Sequence, residues 1–86
     1  MGISMDSSKL KVLIRAVETA TFSAAGEELG FTQAGVSYII KTLEDELGIQ
    51  LLIRGKKGVR LTQKGEALME HVRNADAAMD ALLSRR

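Results

Sequence analysis

Apolar residues recur at helical spacing along most of this chain and give way to short runs only once. Between Thr32 and Leu47, Val36, Ile40, Leu43 and Leu47 are spaced four, three and four residues apart, which places them on one stripe of a helix. The opposite face holds Ala34, Ser37, Tyr38, Lys41 and Asp45, with Gly35 and Thr42 on its flank. One side can therefore bury while the other stays small, polar and partly basic. Thr32 suits an N-cap, its hydroxyl accepting from amides of the first turn, and Gly48 supplies the stop.

The stretch ahead of this helix, Ser23 to Leu29 (SAAGEEL), reads as a shorter helix closed by Gly30 and Phe31. Two helices joined by a short turn containing Gly outline a helix-turn-helix, whose second helix enters the DNA major groove. The competing reading is an ordinary helical hairpin in a small bundle. Within the shorter helix Ala24, Ala25 and Gly26 permit close approach, although Gly26 costs about 1 kcal/mol of helix propensity relative to Ala. Phe31 is expected to pack beneath the turn.

After Gly48 the period changes. Ile49 to Arg54 and Val59 to Thr62 are two short apolar-rich runs around Gly55-Lys56-Lys57-Gly58, a β-hairpin by its turn chemistry. A cationic hairpin beside a recognition helix is a wing, able to reach phosphates or a minor groove. Taken alone, the same tip could be a solvated lysine turn that keeps an edge strand soluble. Together the elements predict a mainly α fold: a winged helix-turn-helix of three helices and a two-stranded β wing, followed by a long C-terminal helix.

The flanking segments complete that picture. Residues 1–5 read as a tail, with Met1 to Ser4 an expression remnant or a short extension. Ser7 or Ser8 can cap a first helix running to about Ala20, with Leu10, Leu13, Ile14 and Val17 as its apolar stripe and Lys11, Arg15 and Glu18 pointing outward. Thr21-Phe22-Ser23 forms the corner, Phe22 plugging the core. The DNA-binding unit thus spans 6–61. From Thr62 to Arg86 a capped helix carries Leu68, Val72, Ala75, Met79 and Leu82, spaced four, three, four and three. Such a heptad seam suits a dimerisation helix, the other reading being a helix laid back across its own domain.

Composition narrows the function. At 86 residues there is room for one small domain, and aromatics at 3% leave an aliphatic core. Cys is absent, which excludes a disulfide framework or a thiolate metal site and fits a reducing compartment. No apolar run approaches 18 residues and no signal peptide is evident, so neither secretion nor a membrane span is expected.

The net charge of +1 says less than its distribution. Residues 1–31 carry three Lys/Arg against four Asp/Glu, residues 32–61 five against three, and residues 62–86 four against four. The excess sits in the recognition helix and wing, where Arg54, Lys56, Lys57 and Arg60 cluster. The acidic run Glu44-Asp45-Glu46 has to sit away from phosphate. An enzyme is not expected: the only His is His71, and neither clustered carboxylates nor a phosphate-binding glycine loop accompany it. No metal and no cofactor are expected.

Several residues in order resemble the N-terminal DNA-binding domain of LysR-type transcriptional regulators, from about Met5 to Leu83. The matches are Phe22-Ser23, Ala24-Ala25 with Leu29, Thr32-Gln33, Val36-Ser37, Leu43-Glu44, Leu47-Gly48, Leu51, Arg54, Leu61-Thr62 and Gly65. The resemblance implies a cytoplasmic bacterial regulator that homodimerises through its linker helix and reads an inverted-repeat operator in double-stranded DNA. It also implies an effector-binding domain, missing from this chain, through which alone a small-molecule inducer would act. By position, Thr32 and Ser37 look like hydroxyls for phosphate or base edges, Gln33 like a base reader through its amide, and Arg54 like a phosphate anchor. Lys56, Lys57 and Arg60 are similar to the family's wing cations. Ala34, Gly35, Tyr38, Lys41 and Thr42 complete the expected DNA-facing set.

Three departures from the family stand out. Ala34 and Gly35 replace a frequent Pro and a usual Ala. Tyr38 and Ile39 stand where Arg and Gln are frequent, and Leu52 where Phe is usual. Tyr38 can donate to a phosphate or stack, but brings no charge. The alternative function is a winged-helix module for protein–protein contact without DNA binding, which the near-neutral charge, Tyr38 and Ile39 would suit.

Overall fold

The computed structural model describes residues 7–84, and the elements follow in the expected order: α1 (Ser7–Thr19), α2 (Phe22–Leu29), α3 (Gln33–Leu47), β1 (Leu52–Gly55), β2 (Gly58–Leu61) and α4 (Gln63–Leu83). The expected tail at 1–5 and the last two residues lie outside the described range.

Helix α1 is the centre of the fold, touching α2, α3, α4 and β2. That position corrects the expected stripe. Leu10, Val12, Leu13 and Ala16 are buried, whereas Ile14 and Val17 are only half-buried. A helix packed on several sides needs a wider apolar face than one seam provides. The helix stops at Thr19 because Ala20 takes a left-handed conformation, φ 63°, unusual for a residue with a side chain. That turn aims the Ala20 carbonyl at the wing, where it accepts from the Val59 amide at 2.8 Å.

Helix α2 begins at Phe22, one residue before the expected start, because Thr21 is the N-cap: its Oγ1 accepts from Ala24 N at 3.0 Å. Gly26 is needed for closeness. A methyl there would stand 2.4 Å from the Phe31 carbonyl oxygen, and the amides of Gly30 and Phe31 both donate to Gly26 O at 2.8 Å. The turn therefore folds directly onto the helix it leaves. With backbone filling that space, Phe31 does not pack beneath the turn as expected; it is 37% exposed, beside Gly35 on the first turn of α3.

Helix α3 matches expectation at both ends. Thr32 Oγ1 accepts from Gly35 N at 2.9 Å, and Gly48, at φ 72°, donates to Glu44 O. Val36, Ile40 and Leu43 are buried. Leu47, expected on the same buried stripe, is 39% exposed, because the last turn of the helix borders an open cleft with α1 and α4.

The wing is a two-stranded antiparallel sheet with Leu52 opposite Leu61 and Gly55 opposite Gly58, leaving Lys56-Lys57 as a two-residue tip. Leu51, Leu52 and Val59 join the core. Thr62 then caps α4, its hydroxyl accepting from Gly65 N at 2.9 Å while donating to Gln50 O at 2.6 Å. Gly65 lies so close to β1 that a methyl on it would stand 2.3 Å from Leu51 O.

Helix α4 runs antiparallel to α1, and the expected seam divides along its length. Val72 is buried in the helix's own domain; Leu68 and Met79 are half-buried against that core; Ala75 is exposed and Leu82 is 70% exposed. Lys11, Arg15 and Glu18, expected merely to point outward, make ion pairs instead. Lys11 Nζ lies 2.9 Å from both Asp76 and Asp80, and Arg73 reaches Glu18 at 2.9 Å. Arg15 pairs with Glu18 and with Glu28 of α2. The hydrogen bond from Arg73, with that from Arg15, holds the Glu18 carboxyl below its ordinary value of 4.5. Hydrogen bonds to Asp80 and Asp76 raise Lys11.

Candidate nucleic-acid interface

The outward face of α3 is the surface on which the functional reading depends, and it is open. A step of about 100° per residue sets Ala34, Tyr38, Lys41 and Asp45 opposite the buried Val36, Ile40 and Leu43, and all four are exposed. Gln33 and Ser37 lie on the edge nearer the wing, while Gly35 and Thr42 lie on the other edge. Thr42 is half-buried and its hydroxyl donates to Ile39 O at 2.7 Å, which turns it back onto its own helix. The Thr32 oxygen is engaged as the cap, yet Thr32 is exposed and its proton stays available to an acceptor.

The wing is held beside this face at fixed points. The Glu44 carboxylate accepts from Leu51 N at 2.7 Å and from Leu52 N at 3.1 Å, joining the inner edge of α3 to the base of β1. Gln50 Nε2 donates to Leu52 O at 3.0 Å, and Thr62 N donates to Leu51 O at 2.9 Å. At the other strand, the bond from Val59 to Ala20 pins β2 to the α1–α2 corner. Gly58 makes that approach possible, since a methyl there would meet Ala20 O at 2.4 Å.

Between helix and hairpin runs a cleft bordered by Ser37, Lys41, Gln50 and Arg54, continuing to Thr21, Ser23 and Gln33. Arg54 stands at its centre. Its guanidinium lies 4.7 Å from the centroid of the Phe22 ring, a cation–π arrangement that orients the charge while leaving its N–H groups toward solvent. Ser23 Oγ donates to Gln33 Oε1 at 3.3 Å, so the Gln33 amide is steadied from α2. Lys56, Lys57 and Arg60 are exposed on the hairpin, and Lys41 lies 3.7 Å from Asp45, a solvated pair of little energetic weight.

Most of the expected DNA-facing residues thus lie around the open α3 face and the wing; the exceptions are Thr42, turned back onto its own helix, and Arg60, which pairs with Ile53 and so projects from the hairpin face opposite Arg54. Three further participants emerge from packing: Ser23, which positions Gln33; Phe22, which seats Arg54 while filling the core; and Glu44, which fixes the wing. Ser23 stood in the sequence as part of the Thr21-Phe22-Ser23 corner and among the family matches. Glu44 gave a fainter signal: it is the member of the acidic run nearest the stripe edge, one face away from Asp45. The acidic run accordingly splits, Glu44 turning inward to β1 and Asp45 remaining outward near the C-terminal end of α3.

A short turn between two helices, an open second helix and a cationic hairpin locked beside it define a winged helix-turn-helix regulator domain. The profile of bacterial regulatory helix-turn-helix proteins, lysR family, matches residues 7–66. The chain belongs to that family. It is 46% identical over 66 residues to a probable HTH-type transcriptional regulator, LrrA, of Synechococcus elongatus, which covers 77% of this chain and 22% of the relative. Among solved structures it superimposes on Vibrio fischeri DarR in complex with DNA with a TM-score of 0.89 at 28% identity, over 96% of this chain and 28% of that one. It also superimposes on the DNA-binding domain of CbnR in complex with DNA, with a TM-score of 0.86 at 30% identity, over 94% and 93% of the two chains. The chain therefore spans about a fifth of the length of the curated relatives it matches. No helix among the described residues is long and apolar enough to cross a membrane.

Proposed function

We propose that this chain binds double-stranded DNA sequence-specifically, as the DNA-binding part of a bacterial transcriptional regulator working in the cytoplasm. Helix α3 enters the major groove, Gln33 reads a base edge through its amide, and Thr32, Ser37 and Arg54 hold the backbone. Lys56, Lys57 and Arg60 take phosphates or the adjacent minor groove. One observation carries the reading: the α3 face opposite the core is open, and Arg54 is seated on Phe22 within the cleft that a phosphate would occupy. The two DNA-bound relatives support it.

A homodimer through α4 goes with this proposal. Ala75 and Leu82 are exposed, Leu68 and Met79 retain partial exposure, and Leu10, Leu47 and His71 border an apolar cleft at the same place. A second copy of α4 would cover these groups. Inducer sensing is assigned to an effector-binding region that these residues do not contain.

Selection of bound duplexes from a random pool tests the proposal. The expected product is an inverted repeat whose half-sites are separated by about 10 base pairs or a multiple, as two symmetry-related recognition helices require. Recovery of no enriched sequence would contradict it, and would favour a winged-helix module that contacts protein instead.

A further inference from the structure

We propose that Tyr38 and Ala34 form an apolar ridge that reads thymine 5-methyl groups, so that part of this chain's sequence preference comes from methyl contact at the centre of α3. The proposal rests on the DNA-binding reading given above. Tyr38 is 70% exposed, equal with Leu82 as the most exposed large apolar residue among those described. A single exposed aromatic would ordinarily need no explanation. This one stands at the middle of the helix face farthest from the core.

Its surroundings decide what it can recognise. Ala34, one turn earlier on the same ridge, adds a methyl. Lys41 is the only cation on the face, and it leans toward Asp45. The Thr42 hydroxyl is spent on Ile39 O, and the Gln33 and Ser37 polar groups lie toward the wing edge. The centre of the face therefore presents no fork of donors suited to the O6 and N7 of guanine. It presents a methyl and a phenol ring, whose hydroxyl is a single donor rather than a fork.

In the major groove, the apolar group displayed at a base edge is the 5-methyl of thymine. Ala34 and Tyr38 are about 6 Å apart along the helix axis, against a rise of about 3.4 Å per base pair. The ridge is thus long enough to meet thymines on adjacent or next-adjacent pairs.

The experiment uses the selected operator, with each thymine in turn replaced by deoxyuridine, which removes the methyl and leaves every hydrogen-bonding group. Binding is measured by fluorescence anisotropy for the 86-residue chain and for Tyr38→Phe and Tyr38→Ala. The unaltered protein should lose about fourfold in affinity at one or two thymines per half-site, the worth of one buried methyl-sized group. Tyr38→Phe should keep that discrimination. Tyr38→Ala should lose it at one of these thymines while retaining the same salt dependence, because no charge is removed. Indifference to deoxyuridine at every position would overturn the ridge, as would undiminished discrimination by Tyr38→Ala. Loss of discrimination in Tyr38→Phe would overturn it in favour of a polar contact by the phenol. Failure to bind any duplex even at low salt would overturn the DNA reading, and the ridge with it.

Discussion

Replacing Glu44 by Ala removes the carboxylate that joins the recognition helix to the wing. Its two bonds are unequal. Both are accepted by the same carboxylate oxygen, so both are charge-assisted, the 2.7 Å contact with Leu51 N being short and the 3.1 Å contact with Leu52 N longer and weaker. A hydrogen bond to a charged group contributes about 1.5–3 kcal/mol, and a long one toward the bottom of that range. Glu44 is only half-buried, so water can partly replace it, and the loss is taken below the sum of two full bonds, about 2 kcal/mol. For a domain of this size that corresponds to a fall of about 8–16 °C in Tm. Glu44→Gln keeps an acceptor without the charge and should lose about half as much. Thermal unfolding followed by circular dichroism measures both, and the amide resonances of Leu51 and Leu52 report whether the base of β1 has been released. If Glu44→Ala melts with the unaltered protein and those two amides do not move, the carboxylate is not what holds the wing.

Three further substitutions probe the rest of the frame. Gly26→Ala should destabilise by about 1–3 kcal/mol in urea unfolding, despite the roughly 1 kcal/mol that Ala gains in helix propensity; a stabilised variant would show that the turn does not press on α2 as described. Glu18 has a carboxyl pKa held below 4.5 by Arg73 and Arg15, so its contribution to stability is present above that value and fades as pH falls through the lowered one. Glu18→Gln should therefore flatten the acid limb of the Tm-against-pH curve, and an unchanged limb would remove the pairs with Arg73 and Arg15 from the account. Leu82→Glu, at a position 70% exposed, should leave the Tm of the folded unit nearly unchanged while shifting sedimentation toward the monomer; a persistent dimer would place the interface elsewhere.

The helical stretches were legible in sequence because local chemistry specifies them. Thr32 and Thr62 cap, Gly30 and Gly48 stop, and the Val36, Ile40, Leu43 spacing marks a buried face. The hairpin was legible from glycines bracketing two lysines. Tertiary choices were not. Ile14 and Leu47 sit on faultless stripes, yet how deeply each is buried depends on which neighbours reach it, and periodicity carries no information about that. Gly26 was legible as a site of close approach, but what approaches it is the Phe31 carbonyl of its own turn rather than another helix. For the proposed site, the residues facing outward could be enumerated, whereas their supports could not. Arg54 on Phe22, Ser23 on Gln33 and Glu44 beneath β1 join positions from different elements, and such contacts follow from packing alone. The same limit applies to α4: its heptad is real, but Val72 is spent inside its own domain, which leaves Ala75 and Leu82 as the freer part of the seam.

The most direct test of the central claim, that the open α3 face and its wing form a surface for duplex DNA, is the dependence of binding on salt. If Arg54, Lys56, Lys57 and Arg60 each neutralise one phosphate, a plot of log affinity against log salt should fall with a slope of about −3.6 per bound protomer, and Arg54→Ala should reduce it by about 0.9. A slope near zero, or an Arg54→Ala variant with the slope of the unaltered chain, would contradict the account.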